Sequence, residues 1–149
     1  MNEDLMQAKA MLDAEGYTCV LRRKHLSYTS KERGITPLLL WLETGMDFKN
    51  AVSADKVVGK AAAYLYVLLG VSEIYAYVIS QPALDLLKRY NVQVEYETLV
   101  PAVRNRTGNG FCPMETAVLA VDEPKEALEI LRAKRAEMLK QMAANKEES

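Results

Sequence analysis

The stretch from Ser53 to Gly70 constrains the fold more than any other part of the sequence. It reads S-A-D-K-V-V-G-K-A-A-A-Y-L-Y-V-L-L-G, and its apolar residues recur at helical spacing around most of the circumference. This pattern predicts a helix that is buried between a sheet and another element. Ser53 and Asp55 are suited to cap the first turn, and Gly70 is suited to end the helix. Gly59 disfavours a helix interior by about 1 kcal/mol, so we expect a close backbone approach at that residue.

The composition favours a single cytoplasmic domain, residues 1–149. With 19 basic and 20 acidic residues the net charge is −1, so we expect no general attraction to nucleic acid or to an anionic membrane. Cys19 and Cys112 are the two cysteines, and no charged and apolar leader is present, which indicates free thiols in a reducing compartment. The longest apolar run, from Ala61 to Val71, is much shorter than the ~20 residues that span a bilayer.

The order of helical and strand patterns indicates an α/β fold. Helical patterns lie at 2–15, 38–44, 83–90 and 125–142, with a frayed tail to 149, and strand patterns lie at 17–22, 25–30, 72–80 and 92–99. Only Arg23 and Lys24 separate the first two strand patterns, so they predict a hairpin. The later alternation of strands with helices predicts crossover connections between parallel strands.

Four separated motifs resemble one known family. They are Y-T-C-V-L at 17–21, Y-T-S-K-E-R-G-I at 28–35, A-D-K-V-V-G-K-A-A-A at 54–63 and C-P-M-E at 112–115. They are similar, in the same order, to a bacterial and archaeal family classed as a domain of unknown function, number eighteen ninety-three, and the likeness runs from Leu5 to Ile130. The resemblance implies a three-layer α-β-α fold of the cytidine deaminase-like type, with a mixed sheet of about five strands. It also implies a site at the start of the first crossover helix.

The sequence departs from the zinc-binding motifs of cytidine deaminases. Those enzymes carry H-x-E or C-x-E at this helix start and P-C-x-x-C at the next, where three ligands hold the zinc. The corresponding positions here are Ser53-Ala54-Asp55 and Ser80-Gln81-Pro82-Ala83, which offer neither imidazole nor thiolate. We therefore expect no metal and no cofactor, and the departure argues against zinc-dependent deamination.

Asp55, Lys56 and Cys112 are the catalytic candidates. At the predicted helix entrance, the Asp55 carboxylate can carry a proton and the Lys56 amine can contact an anion or act as a nucleophile. The alternative is a capping aspartate beside a solvated lysine. Pro113 and Glu115 predict a helix start at Cys112, where the helix dipole favours a thiolate. The alternative for Cys112 is a small buried side chain, the usual role of a free cysteine.

The ligand-binding candidates are polar side chains near the predicted helix starts and in loops. The loop 104–110 carries arginines, asparagines and glycines that suit a phosphate, although its spacing matches no established phosphate-binding loop. An ordinary surface loop is the alternative interpretation. The full set is Ser30, Arg33, Ser53, Lys60, Ser80, Asn105, Arg106 and Glu115.

These features support one leading interpretation and two alternatives. The leading interpretation is a cytoplasmic protein whose zinc-free pocket binds a nucleoside or nucleotide-type ligand. The first alternative is an enzyme that uses Cys112 or Lys56 for covalent or transfer chemistry on a nucleotide-derived substrate. The second is a non-catalytic module that dimerises or holds a protein partner through its sheet edge or terminal helices. We expect a homodimer without membrane or nucleic-acid partners.

Overall fold

The fold is an α/β arrangement of helices around one open, mixed sheet. We describe a computed structural model, which covers residues 2–103 and 112–148. In this part of the chain the elements are α1 (Glu3–Glu15), β1 (Cys19–Arg23), β2 (Leu26–Ser30), α2 (Thr36–Glu43), β3 (Val52–Val58), α3 (Lys60–Leu69), β4 (Glu73–Ser80), α4 (Gln81–Arg89), β5 (Gln93–Val100), α5 (Pro113–Val118) and α6 (Pro124–Glu148).

The five strands lie in the order β2-β1-β3-β4-β5. β1 runs antiparallel to both β2 and β3, whereas β3, β4 and β5 are parallel to one another. The predicted hairpin is confirmed, with Arg23 opposite Leu26. Its two turn residues, Lys24 and His25, both have positive φ, as the tight hairpin turns that match strand twist require. The predicted mixed sheet of about five strands is therefore confirmed.

The prediction of one continuous helix from Ser53 to Gly70 is wrong in its first third. Residues Val52–Val58 form β3, Gly59 is the N-cap, and α3 begins at Lys60. β3 lies between β1 and β4, so neighbours on both sides satisfy its backbone groups and outweigh local helical periodicity. Ser53 and Asp55 therefore do not cap a helix. The buried helix itself is confirmed, because every residue from Ala61 to Tyr66 is buried.

Apolar clusters lie on both faces of the sheet. On one face, Leu5, Ala8 and Leu12 of α1 pack with side chains of β1, β3 and β4, among them Val20 and Tyr75. On the other face, α3 and α4 pack on the sheet within a larger cluster that also includes residues of α2, α5 and α6. Because neighbouring strand residues point to opposite faces, Ala54 contacts α1 whereas Ser53 and Asp55 face α3. Within the described residues, no helix is long and apolar enough to span a membrane.

Candidate functional site

The carboxyl ends of parallel strands are where open α/β sheets usually bind ligands. β3 ends at Val58 and leads through Gly59 into α3, and β4 ends at Ser80 and leads directly into α4. Ser80 is the N-cap of α4, and its Oγ accepts a hydrogen bond from the Ala83 N–H at 3.2 Å. The structure therefore confirms a helix start at Ser80, one of the predicted site residues, and shows the side chain in a capping role.

Glu115 of α5 reaches the first turn of α3. Its Oε2 accepts a hydrogen bond from the Ala61 N–H at 2.9 Å, and its Oε1 occupies the position that a Cβ at residue 59 would take. Burial raises the pKa of this carboxyl, while backbone hydrogen bonds from Ala61 and Lys60 and the charge of Lys60 oppose the shift. The close approach predicted at Gly59 is thus made by a carboxylate rather than by backbone. Glu115 satisfies donors at the start of another helix, which its spacing within α5 alone does not indicate.

Three donors fasten the segment between α5 and α6 to α3 and α4. We call residues 119–123 the connector. The Lys60 Nζ donates to the Leu119 carbonyl at 2.7 Å, and the Tyr64 hydroxyl donates to the Val121 carbonyl. An Arg89 Nη donates to the Asp122 carbonyl at 2.9 Å. Lys60 is a predicted site residue, and its partner is a main-chain oxygen 59 positions away in sequence.

A cleft lies where α3, α4 and the connector meet. It measures about 280 Å³ and carries two cationic and two anionic side chains. Asp85 accepts a hydrogen bond from the Gln81 amide at 2.8 Å. The lining residues are Lys60, Tyr64, Pro82, Asp85, Leu86, Arg89 and Asp122.

A second depression, of about 400 Å³, lies at the other end of α3. Its lining includes Met46, Phe48, Leu68 and Gly70, and it includes none of the predicted site residues that lie in the described parts of the chain.

Ser53 and Asp55 belong to a separate, buried polar cluster. The Ser53 Oγ donates to the Tyr66 hydroxyl oxygen at 2.8 Å, and the Tyr66 hydroxyl donates to the Asp55 Oδ2 at 2.6 Å. The Cys19 Sγ lies 3.2 Å from the same Tyr66 oxygen. Burial raises the pKa of Asp55 to about 6, against the opposing effect of its hydrogen bonds. Burial and the nearby Asp55 also raise the pKa of Cys19 and Tyr66 well above their usual values.

The structure does not bring the predicted catalytic residues together at a helix entrance. Asp55 lies within β3, and its neighbour Lys56 is exposed, so the placement of both at a helix start is wrong. Cys112 is half-buried and forms the N-cap of α5, which confirms the predicted helix start there. The catalytic roles of these residues remain predictions.

The remaining ligand-binding candidates lie elsewhere. Ser30 is in β2, at the other edge of the sheet from β5, and its Oγ accepts a hydrogen bond from the Glu32 N–H at 3.0 Å. Arg33 is exposed in the following loop. Asn105 and Arg106 lie outside the described residues.

Sequence reasoning missed Tyr64, Tyr66 and Arg89. A signal for both tyrosines is present, because a hydroxyl in a fully buried helix must find a hydrogen-bond partner. Arg89 gave no such signal, since a cation in the last turn of a helix is ordinarily explained by the helix dipole.

The residues at the two helix starts do not fit a zinc ion. Val58, Gly59 and Lys60 precede or open α3, and Ser80 and Gln81 open α4, so neither start carries a thiolate or an imidazole. Throughout residues 2–103 and 112–148, no three His, Cys, Asp or Glu side chains are grouped to hold a metal.

Comparisons with known proteins identify the family. The profile of "TM1506: Domain of unknown function (DUF1893)" matches residues 7–134. Among solved structures, the chain is similar to the DUF1893 family protein TM1506 from Thermotoga maritima, with 29% identity and a TM-score of 0.80 over 90% of this chain and 92% of that one. No curated protein matches the chain. The two agreeing comparisons show that the chain belongs to the DUF1893 family.

Proposed function

We propose that this chain binds a nucleoside or nucleotide-type ligand in the cleft between α3, α4 and the connector, without zinc. The observation that carries the proposal is the cleft itself, where Lys60 and Arg89 lie beside Asp85 and Asp122. It is next to the helix starts that follow two parallel strands, the usual ligand-binding edge of an open α/β sheet.

The chemistry of the cleft suits a ligand with an anionic and a hydrogen-bonding part. The guanidinium of Arg89 and the ammonium of Lys60 each keep donors beyond the single carbonyl contact described for them, and such donors suit phosphate oxygens. The carboxylates of Asp85 and Asp122 accept hydrogen bonds, as ribose hydroxyls and base amines require. A volume of about 280 Å³ is just below the usual range of small-molecule pockets, so it favours a ligand of nucleoside size over a dinucleotide.

The deaminase-like assignment of the fold forms part of the same proposal. It is supported by the order β2-β1-β3-β4-β5, with an antiparallel hairpin at one edge and helices α3 and α4 following β3 and β4. The helix starts that follow these two strands lack the donors that zinc requires, so the proposal concerns binding and not hydrolytic deamination.

Calorimetric titration of the full chain with a nucleoside, its 5′-monophosphate and inorganic phosphate tests the proposal. We expect the monophosphate to bind most tightly. Arg89→Gln should weaken its binding at least tenfold, because a hydrogen bond to a charged group contributes about 1.5–3 kcal/mol and about 1.4 kcal/mol is a factor of ten in affinity. Arg89→Lys should retain part of the affinity. Lys88→Gln, which removes the adjacent cation of α4 outside the cleft, is the matched control and should bind like the wild type. Equal weakening by both glutamine variants, or no binding of any of the three probes, would contradict the proposal.

A further inference from the structure

Four polar side chains from three elements meet inside the core, away from the cleft. They are Cys19 of β1, Ser53 and Asp55 of β3, and Tyr66 of α3. Cys19 is 3% exposed and Asp55 is 9% exposed, while Ser53 and Tyr66 are fully buried. Burial of this much polarity is costly unless every group has a partner, and here each of them has one.

The two hydrogen bonds between oxygens of this cluster both run toward Asp55. The Tyr66 hydroxyl has one proton and donates it to the Asp55 Oδ2, so its oxygen accepts from the Ser53 hydroxyl. The Cys19 thiol also lies within reach of that oxygen. On the other side of the carboxylate, the Val57 N–H donates to Oδ1 at 3.2 Å. This arrangement suits an ionised carboxylate.

The same atoms suit the protonated carboxyl when the chain of hydrogen bonds runs the other way. A protonated Oδ2 donates to the Tyr66 oxygen, and the Tyr66 hydroxyl then donates to the Ser53 Oγ or the Cys19 Sγ, 2.8 and 3.2 Å away. Ser53 in turn has the Cys19 sulfur at 3.9 Å. Hydroxyl and thiol hydrogens rotate about single bonds, so the reversal moves no heavy atom. The one proton taken up comes from solvent water.

Within residues 2–103 and 112–148, no cationic side chain is one of the main influences on Asp55. The titratable groups acting on it are Tyr66 from α3 and Cys19 from β1. The residue opposite it in β4 is Ala76, and the next residue in β3, Lys56, is exposed. The ionised Asp55 carboxylate is therefore stabilised by hydrogen bonds alone, and uptake of a proton converts it to a neutral carboxyl group in the same place.

We propose that Cys19, Ser53, Asp55 and Tyr66 form a proton-uptake switch between the sheet and α3. When Asp55 binds a proton, the hydrogen bonds through Tyr66 and Ser53 reverse, and the Cys19 sulfur accepts the last of them. Protonation removes the buried charge and leaves a neutral hydrogen bond between Asp55 and Tyr66, so the switch changes how firmly α3 is held to β3. The first turn of α3 lines the cleft through Lys60, which connects the switch to the ligand-binding edge.

Carbon-13 NMR of the full chain, labelled at aspartate carboxyl carbons and tyrosine Cζ, tests this proposal. We expect the Asp55 carboxyl to titrate near pH 6 and the Tyr66 Cζ signal to shift with the same midpoint. The Cζ signal of Tyr96, an exposed tyrosine of β5 outside the cluster, is the internal control and should not shift with this midpoint.

Two variants distinguish the proposed switch from an aspartate whose pKa is raised by burial alone. Tyr66→Phe removes a donor to the ionised form and should raise the Asp55 midpoint further. Ser53→Ala should leave the titration of the Asp55 carboxyl in place. It should reduce the accompanying change in the Tyr66 Cζ signal. The proposal would be overturned if the Asp55 carboxyl stays ionised down to about pH 4 in the folded wild type. It would also be overturned if the Tyr66 Cζ signal does not shift at the pH where Asp55 titrates. The wild-type titration decides the matter even if Tyr66→Phe does not fold.

Discussion

Gly59 is the position where a single added carbon has the clearest consequence. Its φ of −99° is open to any residue, so the demand for glycine comes from the neighbouring side chain and not from backbone strain. The Glu115 carboxylate fills the space of a Cβ, and the Val103 side chain lies 3.0 Å from that position. Sequence reasoning identified a close approach here but placed Gly59 inside a helix.

We predict that Gly59→Ala destabilises the protein by about 1–3 kcal/mol, because the methyl group displaces Glu115 from the start of α3. Urea unfolding measures the loss. Glu115→Ala alone should cost about 1 kcal/mol through the lost cap. The double variant Gly59→Ala/Glu115→Ala should cost clearly less than the sum, since the clash is gone. Additive costs would show that the two residues do not compete for the same space.

Asp55 gives a pH dependence with a defined sign. Its pKa is raised from 3.8 to about 6 in the folded chain, so the protonated folded state is favoured. The stabilisation is fully present below the unfolded pKa, near 4, and is lost as pH rises through about 6. The raised pKa of Asp55 corresponds to about 3 kcal/mol of stability, at about 1.4 kcal/mol for each tenfold change in proton affinity.

We predict that Asp55→Asn loses less stability than the wild type between about pH 4 and pH 7, because asparagine carries no charge to bury. The measurement is urea unfolding of both proteins across this range. Asp13→Asn, at an exposed position, should follow the wild-type curve. If the free energy of unfolding changes with pH in the same way for the wild type and Asp55→Asn, burial of the Asp55 charge does not cause the pH dependence.

At the scale of elements, the connector is held by side chains that reach it from α3 and α4. Three of its carbonyls accept hydrogen bonds from Lys60, Tyr64 and Arg89. Glu115 of α5, the helix that precedes the connector, accepts a hydrogen bond from the first turn of α3. α5 has only six residues, so these tertiary hydrogen bonds contribute more to its position than its own helical propensity. Such long-range contacts have no sequence pattern, which is why the connector was not predicted.

We predict that Tyr64→Phe loosens the connector at a cost of about 1 kcal/mol, because the Val121 carbonyl loses its buried donor. Hydrogen exchange should accelerate in peptides covering residues 119–127. Tyr96→Phe, at a 42% exposed tyrosine in β5, is the matched control and should leave that exchange unchanged. Unchanged exchange in Tyr64→Phe would show that the connector is held by its other contacts.

The predicted end of the last helix, at residue 142 with a frayed tail beyond it, is wrong, since α6 runs to Glu148. The predicted bounds of α1 are accurate, because a local signal marks each end. Helix α1 was predicted at 2–15 and lies at Glu3–Glu15, where Asn2 caps the start and Gly16 the end. The prediction was wrong at β3, whose helical-looking residues become a strand through pairing with β1 and β4. The candidate residues Ser53 and Asp55 are consequently part of the buried cluster instead of an open helix entrance.

At the scale of the whole molecule, the absence of thiolate and imidazole ligands at the starts of α3 and α4 leads to a prediction about metal content. We expect protein purified from cells to contain far less than one zinc per chain, because carboxylate and hydroxyl groups at these positions do not form a structural zinc site. Elemental analysis with and without chelator treatment is the measurement. Stoichiometric zinc that survives dialysis would contradict both this expectation and the zinc-free binding proposal.

The homodimer also remains a prediction, and β5 is the surface on which to test it. Tyr96 and Leu99 of this strand are 42% and 40% exposed. Analytical ultracentrifugation should give a dimer, and Leu99→Lys should shift it toward monomer, because charge on a strand opposes edge pairing. A wild-type monomer at all concentrations would remove the homodimer from consideration.

The sheet separates the two apolar clusters, and this separation has a consequence for local unfolding of the chain. The α1 cluster draws on few side chains, whereas the cluster on the other face joins residues of five helices. A small cluster on one face can be released without exposing the larger one, so we expect α1 to form its own cooperative unit. Amides of α1 should then exchange through a partial opening of lower free energy than global unfolding, and limited proteolysis should remove residues 1–16 while the rest of the chain stays folded.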